Sequence, residues 1–477
     1  MWRAFLIHSD CIRQHNMLMN LNDTFRRLCC GLPDDIARLK AAGCLEEAIR
    51  LIDLRLQEKK LPGSMLEALT AQREMLRRIP EDFPLTRAEA LAECRQHIPS
   101  FTEAEFDALT AEGKIGWLFL NGEKRYFDRF FSSVCKTDPA FAARAGVTLP
   151  GVESATAASQ ANSVLNAAMR TVKTRGSDSH TICIRSSVHL KDALFTPGAH
   201  IRAWLPVPAD CASQSEIKIS CADPAASVAP ADAPQRTVCF DAVLQQNRTF
   251  AVEYTYRSTA VFHDTAGMTA PDAAQPDFCT GEIAPHVMFT PYIRTLAAEL
   301  SAGKKGPVEK ARAFYDYITT HMFYSFMPAY FTLESIAETG ARNRTGDCGV
   351  LALLFMTLCR CAGIPAEWQS GLVAEPDFIG AHDWIRFYAA PYGWLYADPS
   401  FGVGAVRAGN EERRQFYFGN IDPFRMVANN AFQTDFTVPM TGFRADPYDN
   451  QVGEMELDGR GLTYGEFERT KEIISFD

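Results

Sequence analysis

One cysteine at the head of a long apolar run constrains this chain more than any other feature. Thr345-Gly346-Asp347-Cys348-Gly349 leads into Val350-Leu351-Ala352-Leu353-Leu354-Phe355. The run continues through Met356, Leu358 and Cys361 and stops at Gly363-Ile364-Pro365. Glycine before it and Gly-x-Pro after it punctuate a single helix. A helix that is apolar nearly all round has to be buried in a domain core. Cys348 then lies at its N-terminus, where unpaired N–H groups and the positive end of the dipole favour a thiolate. The placement predicts a thiol pKa lowered from about 8.5 into the range of roughly 3.5–7.5, and a nucleophile. Cys359 and Cys361, further along the same helix, read as small hydrophobes.

Two later segments supply what such a thiol needs. Ala381-His382-Asp383-Trp384-Ile385-Arg386-Phe387-Tyr388 reads as a strand with a histidine at its start. Gly393-Trp394-Leu395-Tyr396-Ala397-Asp398-Pro399 reads as the next strand, ending in an aspartate. Pro391-Tyr392-Gly393 turns the chain between them, so the two form a hairpin that can set His382 beside Asp398. Asp383 follows the histidine and, on a strand, points to the other face; it is expected to play no part in the triad. Asp347 reads as the cap of the nucleophile helix.

The order Gly-Asp-Cys-Gly, His-Asp-Trp, Trp-Leu-Tyr-Ala-Asp-Pro-Ser resembles the transglutaminase-like superfamily of papain-like cysteine enzymes, in a bacterial-type multidomain member. Arg360-Cys361-Ala362-Gly363-Ile364-Pro365-Ala366 resembles the segment that follows the nucleophile helix in that family. The likeness spans roughly residues 285–402, about a quarter of the chain. It implies Cys348 as nucleophile, His382 as base and Asp398 as the group that orients the ring. Acyl transfer through a thioester then needs an oxyanion site. The backbone N–H of Cys348 is one expected donor and Tyr324 a candidate for the second, although core packing is its blander reading. Trp384 and Trp394 are expected to wall the cleft. The resemblance implies no metal and no cofactor, and the calcium-loop pattern is absent. Its chemistry fits hydrolysis of a peptide or small amide, protein-glutamine or other amine transfer, or an inactive core kept as a binding scaffold.

Around this centre the sequence predicts a multidomain α+β protein: a helical N-terminal region with a small helix/hairpin module (1–135), a linker (136–177), a β-sandwich-like domain (178–265), a papain-like α+β core (285–430) and a C-terminal tail (431–477). Apolar spacing predicts a helix around Leu45–Leu56 and a second from Ser64 that stops before Pro80. Thr86-Arg87-Ala88-Glu89 and Thr102-Glu103-Ala104-Glu105 are capping boxes. Asn121-Gly122 between alternating residues marks a hairpin. Two short helices and a hairpin resemble a winged-helix layout, but the recognition helix would be acidic, so the module reads as a protein contact. One helix is expected from about Ala161 to Val172, and a surface helix over Tyr464–Ile474. Period-two runs at Thr181–Arg185, Ile201–Pro208, Glu216–Ser220, Thr237–Phe240 and Thr249–Tyr256 make the β-domain.

The net charge of −10 and pI near 5.6, with no basic stripe, argue against general nucleic-acid binding. Fourteen cysteines, none in Cys-x-x-Cys spacing, read as buried thiols in a reducing compartment, the cytoplasm. The apolar run within Met1–Asp10 is too short for a secretory signal, and nowhere do 18 apolar residues run together to span a membrane. Oligomeric state is left open by the sequence.

Overall fold

The computed structural model describes residues 25–58, 60–147, 163–221, 223–271 and 275–477. Met1–Asp10 and the first residues of the helix expected from Ala161 lie outside them.

The N-terminal region is helical and has its own core. Helices Asp34–Ala41, Leu45–Leu56, Gly63–Asp82, Arg87–His97 and Glu103–Ala111 bury Ile36, Ile52, Leu76, Leu91 and Phe106 against one another. Both capping boxes form, with each threonine and its glutamate satisfying the other's backbone N–H. The 63–82 helix does not stop before Pro80 but runs through it. Pro80 has no N–H to return to the Leu76 carbonyl, and the helix ends two residues later. Strands β1 (Trp117–Leu120) and β2 (Glu123–Tyr126) make the hairpin, turning at Asn121 and Gly122 with φ of 50° and 91°. Helices Phe130–Thr137 and Pro139–Arg144 follow, and Phe130–Thr137 packs on the catalytic core.

The β-domain is two sheets. β3 (Ser177–Leu190), β4 (Ala199–Pro206), β5 (Gln214–Ser220), β6 (Ser227–Val228), β7 (Thr237–Leu244) and β8 (Phe250–Val261) supply most of it. The catalytic region contributes β9 (Phe323–Tyr324), β10 (Thr345–Gly346), β11 (Ala366–Glu375), β12 (Phe378–Ala389), β13 (Gly393–Ala397), β14 (Phe418–Gly419) and β15 (Arg425–Asn429). The chain then returns to the β-domain as β16 (Glu454–Leu457), β17 (Arg460–Gly461) and β18 (Phe467–Phe476). The two β-domain sheets have the orders β17-β16-β4-β7-β6 and β18-β3-β8-β5. Where the sequence suggested a surface helix over Tyr464–Ile474, the structure has β18, paired antiparallel with β3 along almost its whole length. The polar run Glu468-Arg469-Thr470-Lys471 serves a sheet edge; local propensity gave way to a partner strand that needed pairing.

The catalytic sheet has the order β14-β13-β12-β11-β15, all antiparallel. The nucleophile helix, Cys348–Cys361, lies on it with every residue from Val350 to Leu358 fully buried. Ile385 and Phe387 of β12 face this helix, and helices Pro291–Ser301 and Gly306–His321 cover its other side. Leu372, Ala374, Met426 and Ala428 on the opposite face of the sheet join the β-domain core. The two domains therefore bury one continuous apolar layer, which fixes their orientation.

Candidate active site

Cys348 is placed by three devices. Asp347 caps the helix, its carboxylate accepting the Val350 N–H at 3.2 Å. The Tyr330 hydroxyl also donates to Asp347. Short parallel pairing of β9 with β10 sets Tyr324 opposite Gly346, two residues before the nucleophile. Gly349 has to be glycine, because a Cβ there would collide with the Tyr330 hydroxyl.

His382 and Asp398 come together as the hairpin predicts. His382 Nε2 lies 2.8 Å from Asp398 Oδ2, leaving Nδ1 as the nitrogen that can exchange a proton. Asp398 is fully buried and caps the next helix, accepting the Phe401 N–H at 2.9 Å. Ser400 Oγ donates to it at 3.1 Å and Arg425 Nη1 at 2.8 Å. Arg425 is itself fully buried and also pairs with Asp422. Burial alone would raise the Asp398 pKa, but the charges of His382 and Arg425 outweigh it and hold the carboxyl well below the usual range. The His382 ring is fixed between Phe401, 4.6 Å away between centroids, and Trp384 at 6.1 Å.

Cys348 faces different company. Its thiol is within reach of the Asp383 carboxyl and of the Tyr324 hydroxyl. Among the described residues no hydrogen bond joins the thiol to the His382 ring. Asp383 does point away from His382, as strand alternation requires. That direction is toward the helix that begins at Cys348, so Asp383, which does not pair with the His382 ring, bears on the thiol instead. Behind it lies Asp449, which accepts from Ser370 Oγ at 2.5 Å; burial first, then the neighbouring charge of Asp449, pushes the Asp383 carboxyl well up. Burial also raises Asp347, to about 6, against the pull of Tyr330 and the Val350 N–H.

The thiol pKa follows this setting. Burial raises it well above its ordinary value, and the charges of Asp383 and Asp347 add to the effect. The lowered value expected from the helix terminus is thus corrected: desolvation and two adjacent carboxyls outweigh a half-charge dipole.

Trp384 is fully buried and its indole N–H donates to Gln369 at 3.1 Å, so it backs the histidine and does not wall a cleft. Trp394 packs on Tyr388 and Arg386, further along the hairpin. Arg425, Asp422, Tyr330 and Asp449 carry no local motif and were not legible in the sequence. Asp383 had a signal: it shares a strand face with Ile385 and Phe387, the apolar face that must meet the helix. Among the described residues no group of three or more His, Cys, Asp or Glu side chains is placed to hold a metal ion, and no helix is long and apolar enough to cross a membrane.

Known proteins share parts of this chain. Residues 294–399 match the model of the transglutaminase-like superfamily. An uncharacterized protein of Bacillus subtilis, YebA, is 25% identical over 129 residues, 23% of this chain; the match spans only 17% of that protein's length. A proposed cysteine protease from Cytophaga hutchinsonii aligns over 63% of this chain and 92% of its own, at 16% identity and a TM-score of 0.38. The periplasmic domain of TgpA from Pseudomonas aeruginosa aligns over 53% and 96%, at 16% identity and a TM-score of 0.27. The matched segment contains the helix-start cysteine, the strand histidine and the hairpin aspartate, and over residues 294–399 the chain carries a core of the transglutaminase-like superfamily.

Proposed function

We propose that the protein hydrolyses an amide or peptide bond through a thioester on Cys348. The observation that carries the reading is a helix-start thiol on the helix packed against β12, whose histidine is held by a buried carboxylate, Asp398, with a charge that reaches the thiol. In this reading the thiol exchanges Asp383 for the Nδ1 side of His382, which takes its proton. The thiolate sulfur attacks the carbonyl carbon, and the tetrahedral oxyanion is met by the Cys348 N–H and the Tyr324 hydroxyl. The imidazolium returns the proton to the leaving amine, and water then attacks the thioester by the same route. Asp398, held ionised by Arg425, keeps the ring in the useful tautomer and stabilises the imidazolium.

Water is favoured over an amine as acceptor because transfer needs a second site that binds the amine and excludes water. The test uses intact-mass spectrometry with a panel of peptidyl p-nitroanilides. An acyl adduct on Cys348, lost with turnover in Cys348→Ala, is expected; turnover surviving in Cys348→Ala ends the proposal. Adding millimolar methylamine separates the two fates. If the methylamide outgrows the free acid, the protein is a transferase.

We place the chain in a reducing compartment, the cytoplasm, on the ground that a working thiol sits among cysteines that are all free in the described residues. Recovery in a periplasmic fraction would move it elsewhere.

A further inference from the structure

The nucleophile is approached from the N-terminal region by a cluster of three cations. Lys136, on helix Phe130–Thr137, sets its ammonium 4.7 Å from the centre of the Tyr324 ring and 4.9 Å from that of Phe326. Tyr324 is the residue whose hydroxyl meets the Cys348 thiol. Arg129 lies over the other part of the same cluster, 3.3 Å from the Phe326 ring centre. Arg407, on the helix that Asp398 caps, donates to the Lys136 carbonyl at 2.7 Å. Among the described residues none of the three has a carboxylate within ion-pair distance, although the surface elsewhere is dense with such pairs. In a protein of net charge −10 this is a local reversal of sign.

Of the three, Lys136 lines a cleft of about 390 Å³ on the helical region, with His97, Phe131, Cys135 and Phe326 beside it and Glu93 also on its wall. His97 stacks on Phe131 at 4.3 Å, giving the cleft an aromatic floor. A half-buried ammonium beside two guanidinium groups is unfavourable left alone; burial, then Arg407 and Arg129, depress the Lys136 pKa. An anion placed there would relieve the repulsion and gain charge-assisted hydrogen bonds.

We propose that this cleft is the specificity subsite of the enzyme and that Lys136, supported by Arg129 and Arg407, binds a carboxylate of the acyl donor. The substrate class is an acidic peptide or an amide bearing a free carboxylate on its acyl side. The helical region then completes the active site and is not a detached module. This inference rests on Cys348 being the nucleophile of the proposed reaction.

The test alkylates the full-length chain at pH 8.5 with N-iodoacetyl-β-alanine and, separately, with its neutral amide, and follows Cys348 by peptide mass mapping. Wild type is expected to favour the carboxylate reagent by roughly tenfold, the scale of one charge-assisted hydrogen bond. Lys136→Gln should bring the ratio to about one, and Lys136→Arg should keep it. Arg129→Gln, on an exposed side chain that the fold does not need, should lower the ratio in part. Equal rates for the two reagents in wild type overturn the subsite. So does an equal slowing of both reagents in Lys136→Gln, which would make Lys136 a support for the thiolate instead. Failure of the catalytic reading looks different: the labelling preference would stand while no amide leaves an acyl group on Cys348.

Discussion

The two faces of strand β12 hold aspartates in opposite states. On the His382 face, Asp398 is buried against Arg425 and His382, each at 2.8 Å, and its carboxyl is held well below the usual range. On the Asp383 face, the carboxyls of Asp383, Asp449 and Asp347 are buried among one another, with the Cys348 thiol in contact and Arg129 the nearest opposing charge to Asp347. Residue type is the same, and Asp383 and Asp449 are buried nearly as deeply as Asp398; what differs is the neighbours. Burial alone therefore says nothing about charge state until partners are counted. One face holds the His382 ring in place, and the other raises the Cys348 thiol.

Breaking the cationic face should have the largest effect. Asp398→Asn removes the charge that orients His382 and is expected to lower turnover by about 10³–10⁴-fold with the fold intact; a loss under tenfold in a steady-state assay would show that the ring needs no such partner. Arg425→Leu strands Asp398 and Asp422 as buried unpaired charges and should cost about 3–5 kcal/mol of stability, read by denaturant unfolding.

Relieving the acidic face works in the other direction. Asp383→Asn keeps the shape and leaves the position neutral at every pH, so a thiolate forming there meets one carboxylate fewer and the Cys348 pKa should fall. Iodoacetamide labelling of Cys348 at pH 7 should then accelerate, because the thiolate fraction grows about tenfold each time the pKa drops by one. In wild type the same labelling should be slow at pH 6 and rise steeply only above pH 9, because the thiol is raised. Fast labelling at pH 6 would mean that His382 already holds the proton at rest.

The smallest effect is on stability against pH. Asp347, at about 6, and Asp446 and Glu454, each at about 7, are raised by burial above their unfolded values. The folded state therefore binds more protons than the unfolded one between about pH 4 and 7, and stability falls as pH rises through that window. Asp398 has the opposite sign and costs stability only below about pH 4. The melting temperature should be a few degrees higher at pH 5.5 than at pH 8. A higher value at pH 8 would mean that these carboxyls ionise freely.

The same contrast separates what was legible in the chain from what was not. The nucleophile helix, the hairpin with His382 and Asp398, the capping boxes and the Asn121-Gly122 turn are local. Each depends on residues within about a dozen positions, so spacing and turn chemistry determine it. The helix expected at Tyr464–Ile474 failed because its neighbour, β3, lies far back along the chain, and only a distant partner could make it a strand. The lowered thiol pKa expected for Cys348 failed for a related reason. A helix terminus is visible in sequence, but the dielectric around it and the identity of the carboxyls facing it are not. The sequence by itself determined which residues are the candidates for the chemistry and on which elements they stand. Only the tertiary structure decided their charge states, the Arg425 support for Asp398 and the approach of Lys136 to the site, because electrostatics depends on distance through space between groups far apart along the chain.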